Sequence, residues 1–234
     1  MSRSWMTRGA NDVTKCSLLA RLAICAGVLC CCGLASPARG QSLTDRSLNN
    51  EFGVWGGYSF DSPHVFGVSS DRRLGLVALR YGRTIHSWQN TSLAYTVDIF
   101  PLVLVDQPKI LTISTPGPPP QTVYIDSGRE AVYGGGVNPI GLKLNFLHQR
   151  HFEPFVASSV GLVVSTRPIP LDVAGEDQFN FTFDFQAGFE RFNATRSRAW
   201  MFGYRYQHIS NAYRSSLNPG MDGNVFFVGY SFFK

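Results

Sequence analysis

Residues 179–192 read Phe-Asn-Phe-Thr-Phe-Asp-Phe-Gln-Ala-Gly-Phe-Glu-Arg-Phe. Phenylalanine fills the positions of one parity at 179, 181, 183, 185 and 189, while polar residues and glycine fill the other parity. Successive side chains of a β-strand point to opposite faces, so the pattern predicts a strand with one apolar face. A face built of phenylalanine is more typical of contact with hydrocarbon than of a packed core of mixed aliphatic residues.

The same kind of alternation recurs along the chain in eight runs: Glu51–Phe60, Leu74–Gly82, Ser92–Val103, Ala131–Phe146, Phe152–Val164, Phe179–Phe192, Arg198–His208 and Gly223–Phe233. The spacers between them alternate between long and short, and Leu104–Glu130 is the longest. Short periplasmic turns and long outer loops are typical of outer-membrane barrels. We therefore predict an all-β fold, an eight-stranded antiparallel transmembrane β-barrel of the outer-membrane type. A periplasmic sandwich and a soluble barrel are the alternatives, since both also alternate.

The amino-terminal segment has the pattern of a secretory signal. Basic residues precede a 14-residue apolar run, Leu22–Ala35, and small residues precede Gln41. The run is shorter than the roughly 20 residues that a membrane-spanning helix needs. We expect residues 1–40 to be a cleaved signal peptide and residues 41–234 to form the barrel. A lipoprotein signal ending before Cys25 is the alternative, although Ile24 is bulky for that position.

Removal of this segment changes the cysteine content and the net charge of the chain. All five cysteines lie within the first 32 residues, and the formal charge of +5 becomes +1 for residues 41–234. The exported chain would then contain no disulfide, thiol nucleophile or cysteine metal site. Its near-neutral charge also gives no reason to expect a nucleic-acid partner.

One candidate site lies at the end of the seventh run, where residues 200–213 read Trp-Met-Phe-Gly-Tyr-Arg-Tyr-Gln-His-Ile-Ser-Asn-Ala-Tyr. His208 and Ser210 continue the aromatic, lipid-facing parity of this strand at its outer end. A histidine can take the proton of a serine hydroxyl, and a third group then orients the imidazole. Asp222 opens the final strand, and an antiparallel pairing would bring it beside His208. The alternative is that His208 is an ordinary interfacial residue.

Several motifs at the carboxy end carry a more specific resemblance: His208-Ile-Ser-Asn-Ala212, Asn218-Pro-Gly220 and Val228-Gly-Tyr-Ser-Phe232, together with Gly134-Gly-Gly-Val-Asn-Pro-Ile-Gly-Leu-Lys143. With these motifs the chain resembles the outer-membrane lipid A 3-O-deacylase family, the PagL-like acyloxyacyl hydrolases. The resemblance implies a serine esterase, a carboxylic ester hydrolase at the outer rim of the barrel. It would remove an ester-linked acyl chain from lipid A, or lipopolysaccharide, in the bacterial outer membrane.

The resemblance also implies residue roles. Ser210 would be the nucleophile and His208 the general base, with Asn211 and the amide of Ala212 at the oxyanion hole. The family's acid is a glutamate fourteen residues after the histidine, and Asp222, shorter by one methylene, stands at that position. The chemistry requires no metal and no organic cofactor.

Basic residues in the outer loops are candidates for contact with the phosphates of lipid A. They are Arg214 in the last loop and Arg72 and Arg73 near the first. Two other functions stay open at this point: a non-catalytic structural or adhesion barrel in the outer membrane, and a soluble periplasmic lipid-binding barrel. The sequence does not indicate an oligomeric state.

Overall fold

The computed structural model describes residues 49–234, except residues 118 and 120. It contains eight strands: β1 (Asn50–Ser59), β2 (Arg73–Ser87), β3 (Thr91–Thr115), β4 (Gln121–Phe146), β5 (Phe152–Ser165), β6 (Phe179–Phe192), β7 (Arg198–Ser210) and β8 (Met221–Phe233). Each run predicted from the sequence overlaps one of these strands, so the all-β prediction is confirmed. The segment predicted as a signal peptide, residues 1–40, lies outside the described residues.

The strands form a closed ring in which each pairs antiparallel with its neighbours, and β8 closes on β1. Asn50 and Lys234 exchange two backbone hydrogen bonds of 2.9 Å, so both ends of the described chain meet at one end of the barrel. The short turns 88–90, 147–151 and 193–197 lie at this turn end. The opposite loop end carries L1 (60–72), L3 (166–178) and L4 (211–220). Among the described residues, no helix is long and apolar enough to cross a membrane.

The prediction of one long loop over Leu104–Glu130 is wrong, because most of that segment is strand. β3 and β4 stay paired from Asp106↔Ala131 out to Thr115↔Gln121. The pairing of β3 with β2 ends at Asp106, and that of β4 with β5 begins at Gly134. Residues 107–130 therefore form a two-stranded ribbon that continues beyond the barrel wall. The segment is rich in β-branched residues, which favour strands, but both of its faces are largely exposed and impose no clean alternation.

The distribution of polarity is the reverse of that in a soluble protein. Charged and amide side chains are buried inside the ring, where Arg80 contacts Asp98 at 2.8 Å and Lys143 contacts Glu51 at 2.6 Å. Large apolar side chains cover the outside: examples from different strands are Val54, Leu79, Ile99, Leu142, Val160, Phe185, Trp200 and Val228. A polar interior and an apolar outer band are the pattern of a transmembrane barrel. The predicted fold class is therefore confirmed.

The middle of the interior is filled rather than open. Trp55 packs against the rings of Phe100 and Phe227 at centroid distances of 5.7 and 5.5 Å. The Arg205 guanidinium lies 4.9 Å from the centroid of Trp55 and forms an ion pair of 2.9 Å with Asp184. Ion pairs and rings thus occupy the space that a larger barrel would leave as a channel. This filling leaves the outer wall and the loop end for function.

Three of the loops dock on one another at the loop end. The Val68 amide of L1 donates to the carbonyl of Pro219 in L4 at 2.8 Å. The Leu217 amide of L4 donates to the carbonyl of Gly175 in L3 at 2.9 Å. L1, L3 and L4 therefore form one layer of loops around the ends of β7 and β8.

Candidate active site at the loop end of β7 and β8

His208 and Asp222 lie opposite each other because of the register between the last two strands. His208 pairs with Asp222 across β7 and β8, and residues that face each other in an antiparallel pair project to the same side. The Nδ1 atom of His208 lies 2.6 Å from Oδ1 of Asp222. The aspartate therefore reaches the imidazole despite a side chain one methylene shorter than glutamate.

The second carboxylate oxygen of Asp222 is bound by the backbone of L1. The amides of Val65, Phe66 and Gly67 donate to Oδ2 at 2.7, 2.8 and 3.0 Å. The Ser62 hydroxyl also donates to the main-chain carbonyl of Asp222 at 2.8 Å. Three amide donors favour a charged carboxylate and fix its orientation toward His208.

Ser210 is the last residue of β7 and lies two positions after His208 on the same side of the strand. Both side chains approach Gly220, whose φ of +58° suits glycine. A Cβ atom placed on Gly220 would lie 3.1 Å from Cε1 of His208 and 3.5 Å from Cβ of Ser210. No hydrogen bond joins the two side chains in the structure. Since Asp222 occupies Nδ1, the Nε2 atom of His208 is the one left to accept the serine proton.

The expectation that the whole stripe of β7 faces lipid is wrong at its outer end. Trp200 is 53% exposed, whereas Tyr206 and His208 are only 7% and 8% exposed. L1 crosses the outside of the wall here, and its Phe66 ring lies 5.8 Å from the His208 ring and 5.2 Å from that of Phe183. The site is therefore roofed by a loop, with Ser210 at its partly exposed edge.

Asn211 is buried and serves the conformation of L4. Its side-chain amide donates to the carbonyl of Leu217 at 2.6 Å and to Glu176 at 3.3 Å, and its Oδ1 accepts the Tyr213 amide at 3.0 Å. The next residue, Ala212, has a φ of +53°. A non-glycine residue in this region costs of order 1–3 kcal/mol and persists only where its surroundings impose it. The backbone amide of Ala212 has no hydrogen-bond partner among the described residues.

Glu176 of L3 is a residue that no sequence motif singled out. Its Oε2 atom accepts from Asn211, and its Oε1 atom is buried without a hydrogen-bond partner among the described residues. Burial raises the pKa of Glu176 to about 7, although hydrogen bonds from the Asp177 backbone and from Asn211 oppose the shift. A carboxyl that titrates near neutrality thus lies next to the segment that follows Ser210.

The three candidate phosphate ligands differ in their surroundings. Arg72 is buried, and its guanidinium donates to the carbonyls of Pro170, at 2.9 Å, and of Ser70. Arg73 is half exposed and lies 3.5 Å from Asp106. Arg214 is equally exposed, with its guanidinium 4.6 Å from the Phe179 ring and 3.7 Å from Asp177.

The arrangement has the parts that serine ester hydrolysis needs: a serine, a histidine and a carboxylate that orients the imidazole. Among the described residues, no group of three or more His, Cys, Asp or Glu side chains could hold a metal ion.

Comparisons with known proteins agree with the fold. Residues 119–231 match the family model described as "Lipid A 3-O-deacylase (PagL)". No curated protein sequence matches the chain. The solved structure titled "Crystal structure of the outer membrane enzyme PagL" covers 78% of this chain and 98% of its own, with a TM-score of 0.52 and 12% identity.

Another solved structure with a similar fold is Neisserial surface protein A, with a TM-score of 0.45 and 10% identity over 78% of this chain and 96% of its own. The PagL structure shows the shared fold, and the family match covers β7, L4 and most of β8, which carry His208, Ser210 and Asp222. The resemblance seen in the carboxy-terminal motifs is therefore confirmed, because residues 119–231 are similar to the lipid A 3-O-deacylase (PagL) family.

Proposed function

We propose that this chain is an outer-membrane hydrolase that removes an ester-linked acyl chain from lipid A, at the 3-O position, with Ser210, His208 and Asp222 as its catalytic residues. The observation that carries the proposal is the 2.6 Å contact between His208 and Asp222 beside Ser210. These residues lie within the segment that matches a lipid A 3-O-deacylase family. Export by the segment 1–40 is part of the proposal.

The proposed reaction proceeds through an acyl-enzyme. His208 takes the proton of Ser210 at Nε2 as the serine oxygen attacks the acyl carbonyl, and Asp222 stabilises the resulting imidazolium. Collapse of the tetrahedral intermediate breaks the bond to the sugar oxygen, which receives the proton from His208. Water, deprotonated by His208, then attacks the acyl-enzyme and releases the fatty acid, and the proton returns to Ser210.

The oxyanion of the tetrahedral intermediate requires fixed donors, which in such sites supply a large part of the stabilisation. The unpartnered amide of Ala212 is the better candidate, because the side chain of Asn211 is engaged with Leu217 and Glu176. Asn211 would then act by holding the turn that presents this amide. The conformation of Ala212, with φ of +53°, supports this role.

The position of the site suits a lipid substrate. Ser210 lies at the loop end of a strand whose outward face exposes Trp200, Phe202 and Tyr204. Acyl chains of a lipid beside the wall can therefore reach the serine without entering the filled interior. Arg214, which is half exposed in the same loop layer, is the best placed of the three arginines to contact a phosphate.

The proposal is tested in a Gram-negative host that expresses the full chain. Lipid A is extracted and examined by mass spectrometry for loss of one hydroxyacyl chain, with Ser210→Ala and His208→Ala as the variants. Barrel folding is checked for each variant by heat-modifiable mobility on gels. We expect lipid A to lose the acyl chain only in cells that express the natural protein. Deacylation that persists in either variant would refute the mechanism, and no deacylation by the natural chain would favour a structural barrel.

A further inference from the structure

The carboxylate of Asp222 lies on the outward face of β8 yet is almost completely buried. What covers it is L1, which leaves β1 after Ser59 and passes over the ends of β8 and β7. The chain segment 65–67 turns its three consecutive amides toward Oδ2, at distances of 2.7 to 3.0 Å. Oδ1 is left for His208. The two oxygens thus have separate partners, one in L1 and one in β7.

We propose that residues 65–67 are a positioning element for the catalytic carboxylate, which acts by fixing Asp222 through three backbone amides. The inference rests on the function proposed above. A free carboxylate at the end of a short side chain can rotate, and each rotation away from His208 removes the orientation of the imidazole. Hydrogen bonds to a charged group are among the stronger ones in proteins, and three on one oxygen leave a single orientation.

The fit of Gly67 shows how closely L1 must lie against L4. A Cβ atom on Gly67 would lie 2.8 Å from the carbonyl carbon of Gly220 and 2.8 Å from the amide of Met221. Both are backbone atoms, so a side chain there would push L1 away from the residue that precedes Asp222. The Val68 and Ser69 amides, which donate to Pro219 and Gly220, depend on the same approach.

Gly67→Ala is therefore the variant that separates L1 from Asp222 without touching a catalytic side chain. We expect kcat for acyl release from lipid A in detergent micelles to fall about tenfold, with KM changed less than about twofold. In an Asp222→Ala background the same change should alter the residual kcat less than about twofold, because the side-chain oxygen that accepts the L1 amides is gone. Gly117→Ala is the matched control, since a Cβ atom there has nothing nearer than 3.8 Å.

Amide hydrogen exchange at residues 65–67 supplies a readout that does not depend on activity. Replacing Asp222 with alanine should remove the protection of these amides while the barrel strands stay protected. The inference would be overturned if Gly67→Ala lowered kcat equally in the natural chain and in the Asp222 variant, or if it raised KM alone. Exchange protection of the amides of residues 65–67 that survives Asp222→Ala would also overturn it. If the natural chain released no acyl group but protection depended on Asp222, the proposed function would fail while the contact with L1 stood.

Discussion

At the scale of single residues, the site combines side chains whose roles follow from their partners. His208 contacts Asp222 through Nδ1, which leaves Nε2 for Ser210. The carboxylate of Asp222 is shared between β7 and L1, and this explains how a shorter acid can stand where the resemblance implies glutamate. Glu176 adds a further titratable carboxyl beside Asn211, separate from Ser210, His208 and Asp222.

The shared carboxylate predicts that Asp222 cannot be lengthened without loss. In Asp222→Glu the extra methylene would move the carboxylate away from the amides of 65–67 or press it into His208, which is already 2.6 Å away. We expect kcat for lipid A deacylation to fall about tenfold, well short of the loss of about 10³-fold or more that we expect for Ser210→Ala. Steady-state kinetics with purified, folded protein measure both. A fully active Asp222→Glu would show that the site tolerates either acid and that the amide contacts do not set its geometry.

Glu176 predicts a pH dependence of the docking of L3. Its pKa is raised from an ordinary 4.5 to about 7, so the neutral carboxyl is favoured in the docked loop. Docking of L3 is then strongest when the pH lies below 4.5, the ordinary pKa of the Glu176 side chain. Docking weakens as the pH rises through about 7. Limited proteolysis of L3 should be faster at about pH 8 than at about pH 6 after correction for the protease's own pH dependence. Glu176→Gln should remove most of that difference, and a variant that kept it would assign the effect to another group.

At the scale of elements, the parts of β3 and β4 differ in whether they pair with the neighbouring strands of the barrel wall. The ribbon 107–130 pairs only within itself along the strand ladder, whereas the remaining parts of β3 and β4 pair with β2 and β5. A two-stranded ribbon is marginally stable by itself, and its apolar residues Leu111 and Ile113 are exposed. Its base contacts the loop layer, since Arg129 forms an ion pair of 2.7 Å with Asp71 of L1 and Glu130 one of 2.9 Å with Arg167 of L3.

The ribbon therefore predicts a tolerated deletion. Removing residues 110–125 and joining the strands with a two-residue Asn-Gly turn should leave the barrel closed, because the pairs lost lie outside the wall. Heat-modifiable mobility and lipid A deacylation should both stay within about twofold of the natural chain. The matched control removes a comparable loop that does contact the site, residues 62–68 of L1, and should abolish activity. An inactive but folded ribbon deletion would assign the ribbon a part in substrate binding.

At the scale of the whole molecule, the barrel separates its polar interior from an apolar outer wall. Adjacent positions of β4 illustrate the separation, since Lys143 is buried inside and Leu142 is half exposed outside. The ammonium of Lys143 contacts Glu51 at 2.6 Å and Glu190 at 2.8 Å, and both carboxylates are buried. Removing one partner from such a group leaves an uncompensated buried charge.

This separation predicts that substitutions at these two neighbouring positions lower the free energy of unfolding by very different amounts. Lys143→Met should lower the free energy of unfolding by about 3–5 kcal/mol, because two buried carboxylates would lose their shared cation. Leu142→Ala should cost about 1 kcal/mol or less, since its side chain meets the surroundings of the barrel and leaves no internal cavity. Urea titrations of the protein in detergent, followed by gel mobility, measure both. Similar losses at the two positions would contradict the assignment of the faces.

The strands of the wall, their two faces and the placement of His208 and Ser210 on one face could all be predicted from the amino-acid sequence. These features follow from a repeat of two residues along a strand, which is local and visible in the printed chain. The same local rule missed the ribbon, because exposure on both faces removes the alternation that the rule detects.

The remaining contacts of the site depend on how distant loops pack against the strands. L1 reaches Asp222 across more than 150 residues and binds it with backbone amides, which every non-proline residue has and which leave no trace in the residue types. Burial of His208 under Phe66, and of Glu176 beside Asn211, likewise depends on how three loops dock. A repeat along one strand therefore placed the serine and the histidine, and the packing of distant loops supplied their surroundings.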